Sequence, residues 1–403
     1  MRISVNANRC ESSPMRMFHP LAVAAKQAGK KIYHLNIGQP DLPTPQAFYD
    51  AIQNFRQETL AYSASPGDAG LIDAIRGYYK NNLGVELDSS DVLITTGGSE
   101  ALLLVCLSIL DPYTEIIVPE PYYPNYSTFV HAAGGTIRAL PTCPEEGYRY
   151  AIRERIEALI TPNTRAIMIT NPGNPTGVTL TEEEMRMIAD VAKEHELFLI
   201  SDEVYREFCY GENAGVPTMG RFADIADNLI ITDSVSKQFS TCGARVGCVV
   251  TKNKDLQQAL LKFCQSRLAV ATMDQVGAAA LYSVDQAYYE ANRAEYIRRR
   301  DLVYGRLCAI DGVLVTKPQG AFYIMAALPV DDTHKFQNWL LTHFDDNGDT
   351  VMFAPGGPFY ETPGKGINEV RIAYVLCLED LSRAMDLLEK GIARYRKEVM
   401  GVD

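Results

Sequence analysis

The sequence predicts an α/β protein whose mainly parallel sheet is covered by helices on both faces. Three observations predict it. From about residue 91, short apolar runs alternate with segments of helical periodicity, as in chains that cross over a parallel sheet. The polar motifs TTGGSE, TNPGNPTG, SDEVY and SVSK each follow one of those apolar runs, and in such sheets ligands gather beyond the carboxyl ends of the strands. After about residue 290 the pattern changes to long charged helices and short strands, which marks a second, smaller α/β unit.

Taken in order, SDVLITT reads as a strand and SEALLLVCLSIL as the helix after it. TEIIVPE is the next strand, followed by a Tyr-rich segment compatible with a helix, and then TRAIMIT leads into the loop NPGNPTG. Thr181 with Glu184 three residues on forms a capping-box signature for the next helix. LFLISDEVY, NLIITDSVSK and RVGCVVT supply three more strands. Beyond them YYEANRAEYIRRRDLVYGRL is a charged helix, GAFYIMAAL and NEVRIAYVL are strands, and LEDLSRAMDLLEKGIARY is a terminal helix. The expected division is a large domain over 51–288 and a small one over 289–403, with the segment 1–50 joining the small domain.

Composition bounds the function. At 403 residues the chain exceeds one small core and suits a large domain with a companion. Hydrophobic residues at 47% and charged residues at 22% are ordinary for a globular protein. The formal net charge of −12 argues against nucleic acid or anionic lipid as a partner, so an anionic ligand must be captured by local geometry. No run approaches the roughly 20 apolar residues of a membrane span, and MRISVNANRCESSPMRMF lacks a signal-peptide core. The nine cysteines include no C-x-x-C pair and read as buried thiols of a reducing cytoplasm. His195-Glu196 opens like a zinc-protease motif, but no second histidine follows at the required spacing. It reads as a solvated helix end, and no metal is expected.

Gly97-Gly98-Ser99 lies where a strand gives way to a helix. Free N–H groups and the helix dipole make such a junction an anion site, although a plain turn has the same pattern. The Rossmann and P-loop glycine patterns are absent. Ser234-Val235-Ser236-Lys237, followed by Gly243-Ala244-Arg245-Val246-Gly247, is more specific. Most lysines are solvated, yet Lys237 directly follows an apolar strand among small residues. Desolvation there lowers an amine's pKa and frees it for imine chemistry. Arg245 offers a fork of donors suited to phosphate. Asp202, at the end of a core strand, is either a loop anchor or the partner of a buried cation. Lys237 one strand along favours the second.

On these motifs the chain resembles the fold-type I, pyridoxal 5′-phosphate (PLP)-dependent aminotransferases of class I and II, aspartate aminotransferase-like. The matching marks run from LNIGQPD to RIAYVL and include N-P-x-N-P-T-G at 171–177, S-D-E-x-Y at 201–205 and S-x-S-K with an arginine eight residues on. The resemblance implies a large domain with a seven-stranded sheet. It implies that Lys237 holds PLP as a Schiff base and shuttles a proton, that Asp202 pairs with the pyridine nitrogen, and that Tyr205 and Asn174 bond the phenolic oxygen. Gly98, Ser99, Ser234 and Arg245 would form the phosphate cup. Tyr123 would stack on the ring, and Tyr62 would reach the cofactor of the neighbouring subunit in a homodimer. Arg371 would grip the substrate carboxylate, helped by Asn174 and the backbone at Gly38. Lying between Val370 and Ile372, Arg371 would be costly as an unpaired buried charge, which favours a ligand role. The Asn174–Pro175 bond is expected to be cis.

The implied reaction moves an amino group between an L-amino acid and a 2-oxo acid such as 2-oxoglutarate. Two positions depart from the family pattern. Ala244 stands where many relatives have tryptophan, and Ser99 where some aspartate-specific relatives have a lysine for the distal carboxylate. Recognition of aspartate therefore needs another cation that no motif identifies, and alanine and aromatic donors stay open. A carbon–sulfur lyase or synthase on the same fold is the alternative. A ligand-sensing regulator is disfavoured because the motifs begin near residue 35, and a dead fold because Lys237, Asp202, Tyr205 and Arg245 are all present.

Overall fold

The computed structural model of the chain describes residues 1–11, 13–211 and 215–402. Its first strand, β1 (Lys31–His34), stays outside the main sheet. That sheet comprises β2 (Val92–Thr95), β3 (Glu115–Glu120), β4 (Thr136–Pro141), β5 (Thr164–Thr170), β6 (Phe198–Asp202), β7 (Leu229–Ser234) and β8 (Gly247–Val250). Their order is β2-β8-β7-β6-β5-β3-β4, and β8 alone runs against its neighbours. The expected seven-stranded, mainly parallel sheet is thus present.

Burial explains why these runs read as continuous rather than alternating hydrophobic stretches. Every residue of β2, β7 and β8 is buried, as in a sheet covered on both faces. Successive side chains still alternate. Leu93, Ile230 and Val249 pack with Leu102 and Leu260 from helices on one face, while Ile94, Ile231 and Val250 join the core on the other. The helix Glu182–Glu194 closes its amino end with the expected capping box: Glu184 N donates to Thr181 Oγ1, and Thr181 N donates to Glu184 Oε2.

The remaining strands are β9 (Leu314–Val315), β10 (Tyr323–Ala327), β11 (Asp349–Met352), β12 (Ala354–Pro355) and β13 (Glu369–Ala373). An antiparallel sheet of order β12-β13-β10-β9 packs with the helices Gln286–Cys308 and Leu378–Tyr395 over a separate aromatic-rich core. β1 pairs in parallel with β11, and Phe18, Ala22 and Ile32 bury against Leu341 and Met352. Other parts of the first fifty residues lie on the large sheet's helices. Arg9 Nη2 donates to the Gly135 carbonyl at 2.9 Å, and Phe48 packs so closely on Gly277 that a Cβ there would come within 2.6 Å of its ring.

Cys106, Cys209, Cys248 and Cys264 are buried and all nine cysteines are free, but Cys308 and Cys377 are exposed. That corrects the expectation of uniformly buried thiols, because both sit at helix ends where an apolar pattern ceases to report the core. Among the described residues no helix is long and apolar enough to cross a membrane, and no group of His, Cys, Asp and Glu is placed to hold a metal. His195 caps the carboxyl end of Glu182–Glu194.

Candidate active site

A cavity of about 770 Å³ opens beyond the carboxyl ends of β2, β5, β6 and β7, and β10 and β13 complete its wall. Each polar motif reaches it because its strand stops there. Ser234 ends β7 and caps the one-turn helix Val235–Gln238 by accepting from Ser236 N. That turn aims Lys237 inward, where its Nζ donates to the Gly38 carbonyl at 2.8 Å with Cys242 Sγ at 3.8 Å.

Asp202 ends β6 and is buried. Its Oδ2 accepts from Tyr126 Oη at 2.6 Å and its Oδ1 from Val204 N at 3.4 Å. Burial pushes its carboxyl up to about 6, against the pull of the Tyr126 hydrogen bond. Beside it Tyr205 Oη lies 2.9 Å from Tyr323 Oη, and burial drives the Tyr205 phenol well above its ordinary range.

At the junction of β2 with the helix Gly97–Ile109, the helix amino end faces the cavity, an arrangement that suits an anion. Gly97 has φ +75°, and a Cβ there would stand 2.5 Å from an Arg245 guanidinium nitrogen. Glycine therefore allows both the turn and the close approach of the cation. Arg245 Nη1 is steadied by the Cys242 carbonyl at 2.9 Å. Gly98, Ser99, Ser234 and Ser236 line the same end.

At the opposite wall Arg371, buried in β13, donates to Asn174 Oδ1 at 3.1 Å and to the Asn36 carbonyl at 2.7 Å. Its guanidinium lies over Tyr323 at 4.5 Å and Phe359 at 5.1 Å. The Asn174–Pro175 bond is cis, as are Glu120–Pro121 and Asn171–Pro172.

The cavity gathers Gly38, Gly98, Ser99, Tyr123, Asn174, Asp202, Tyr205, Ser234, Lys237, Arg245 and Arg371, all picked from the sequence. Tyr62 does not line this cavity and is 81% exposed. Sequence reasoning missed Tyr126, Tyr323, Asn36, Arg16, His19 and His34, which also line the cavity. Tyr126 lies three residues past Tyr123, across the turn closed by its amide and the Tyr123 carbonyl. Nothing local marks Arg16.

A model of the aminotransferases of class I and II matches residues 30–360. The chain belongs to that family. It is 31% identical to a probable N-acetyl-LL-diaminopimelate aminotransferase of Bacillus subtilis, over all of this chain and 98% of the relative. It is likewise 31% identical to an aspartate aminotransferase of Pyrococcus horikoshii, over 90% of each chain. Among solved structures, an alanine aminotransferase from Pyrococcus furiosus superposes with a TM-score of 0.89 at 30% identity, covering 98% of this chain and all of that one.

The protein is accordingly a PLP-dependent aminotransferase. Its residues fit that cofactor. A buried carboxylate that makes no ion pair among the described residues calls for a cationic ring nitrogen. A helix amino end with an arginine against it suits a phosphate. A lysine amine lies in the same cavity for imine formation.

Proposed function

We propose that this aminotransferase works through Lys237, with Asp202, Tyr205, Asn174 and Arg371 in the roles their positions suggest. The observation that carries this reading is the convergence of Lys237, Asp202, Arg245 and Arg371 on one cavity from three separate segments, the end of β6, the connection from β7 to β8, and β13. Gly98, Ser99, Ser234 and Arg245 would hold the phosphate, Tyr123 would lie against the ring, and Asp202 would pair with the ring nitrogen. PLP, when bound, supplies an electron sink for charge developing on the substrate α-carbon. Lys237 would hold and return the α-proton. Arg371, steadied by Asn174 and the Asn36 carbonyl, would orient the α-carboxylate by a bidentate contact. Tyr205, braced by Tyr323, would donate to the ring's phenolic oxygen.

The donor is read as an amino acid with an acidic side chain, with a 2-oxo acid such as 2-oxoglutarate as acceptor. Arg16 lines the cavity, and among the described residues its side chain has no hydrogen bond or ion pair. With Arg371 assigned to the α-carboxylate, Arg16 is the cation available for a second one. It answers the question raised by Ser99, which lacks the charge a lysine would bring.

The unit is read as a homodimer, because Tyr62 and its neighbours Leu60 and Leu268 expose large apolar side chains that a second copy would cover while Tyr62 reached its site. Free cysteines suit the cytoplasm. The chain divides near 288/289, with β1 serving the small domain and the helix Gln46–Asn54 lying on the large one. The test is an absorbance spectrum of the PLP-loaded protein against single amino acids. Aspartate or glutamate should bleach the cofactor band and 2-oxoglutarate restore it. Arg16→Met should raise KM for those donors at least tenfold and leave alanine unchanged. A clear preference for alanine or aromatic donors would overturn the acidic reading.

A further inference from the structure

Behind the cofactor cradle lies a buried charge cluster that the reaction chemistry does not use. Strand alternation creates it. Asp202 and Ser234 face the cavity, so Glu203 and Asp233, one residue along from each, turn to the opposite side. The two strand ends are adjacent, with Asp202 opposite Thr232 and Glu203 N donating to the Thr232 carbonyl.

Arg206 lies between those two carboxylates with its side chain 1% exposed. Its Nη2 is 2.6 Å from Asp233 Oδ2 and its Nη1 3.5 Å from Glu203 Oε2. It also donates to Tyr79 Oη at 2.8 Å, and its guanidinium lies 4.8 Å from the Tyr79 ring centroid. The carboxylates in turn grip backbone. Asp233 Oδ1 accepts from Ser234 N at 2.7 Å, and Glu203 Oε1 accepts from Ser201 Oγ and Met219 N, both at 2.9 Å. One guanidinium therefore ties together the peptide units that present Asp202 and Ser234.

We propose that Arg206 is a positioning residue for the cofactor cradle, clipping the ends of β6 and β7 from behind so that Asp202 and Ser234 keep their spacing. Without it, buried Asp202, Glu203 and Asp233 would repel one another across two neighbouring strands with no buried cation between them. The inference rests on the reading of Asp202 and Ser234 as cofactor residues.

The test is titration of the cofactor-free protein with PLP, followed by absorbance, well below each variant's melting midpoint. Arg206→Met should weaken PLP binding at least tenfold, and Arg206→Lys should recover part of the loss. Arg300→Met removes another buried arginine, one that pairs with Asp301 and donates to the Pro318 carbonyl; it should lower the melting midpoint without weakening PLP binding. If Arg206→Met does not fold, Asp233→Asn, which loosens the same clip, should weaken binding at least threefold. Affinity within twofold of the parent in the folded Arg206 or Asp233 variants overturns the proposal. Asp202→Asn separates the two readings. If it too leaves PLP affinity unchanged, the cradle assignment fails; if it alone weakens binding, only the role of Arg206 fails.

Discussion

Asp202 and Asp233 end neighbouring strands of one sheet, and burial pushes both carboxyl groups upward. Their surroundings differ. Asp233 meets the guanidinium of Arg206 at 2.6 Å and so has its countercharge within the fold. Asp202 meets a tyrosine hydroxyl and a backbone amide, and its open side faces the cavity. A buried carboxylate is expensive unless paired. One carboxylate has its countercharge within the fold; on the proposed reading the other takes it from the cofactor.

Lys237→Ala should have the largest effect, lowering transamination by about four orders of magnitude and abolishing the cofactor band, with the fold intact by circular dichroism. The two aspartates should then part company. Asp233→Asn leaves buried Arg206 with only the longer carboxylate contact, to Glu203 at 3.5 Å, and should cost about 2–3 kcal/mol in urea unfolding. Asp202→Asn should leave the cofactor-free protein at least as stable, yet cut kcat by roughly 10²- to 10³-fold. Equal destabilisation by both would erase the distinction.

The pH profile sharpens the contrast. Asp202 titrates at about 6 in the folded chain against 3.8 as its ordinary value. Between those values the folded form holds a proton that unfolding releases, so stability of the cofactor-free protein should fall as pH rises from about 4 to 6. At about 1.4 kcal/mol per pKa unit, its share of the loss approaches 3 kcal/mol; Asp233, pushed up to about 6 as well, contributes a similar slope, so Asp202→Asn should remove about half of the fall. PLP affinity should move the other way, strengthening as Asp202 ionises. The smallest effect belongs to Tyr126→Phe. It removes one hydrogen bond to the carboxylate, about 1.5 kcal/mol, and should shift the same pH window upward.

Legibility from sequence followed locality. The strand ends and their motifs were readable because a buried strand is a continuous apolar run and its first polar residue marks where it leaves the sheet. Asp202, Ser234 and Lys237 were found this way. Tyr126, Tyr323 and Asn36 were not, since their partners lie 76, 118 and 335 residues away. Arg206 and Arg16 illustrate the same limit. Arg206 follows a motif without belonging to it and Arg16 lies in no motif; only the chain's return journeys place one behind the sheet and the other at the cavity wall.

By itself, then, the chain's pattern of apolar runs and caps determined an α/β sheet and the order of its motifs, because periodicity and capping are short-range; the chemistry came from the resemblance those motifs carry. The tertiary structure alone decided which charges face the cavity and which are neutralised within the core. That choice depends on how two adjacent strands divide their side chains between opposite faces, and on which distant side chain arrives to meet each one.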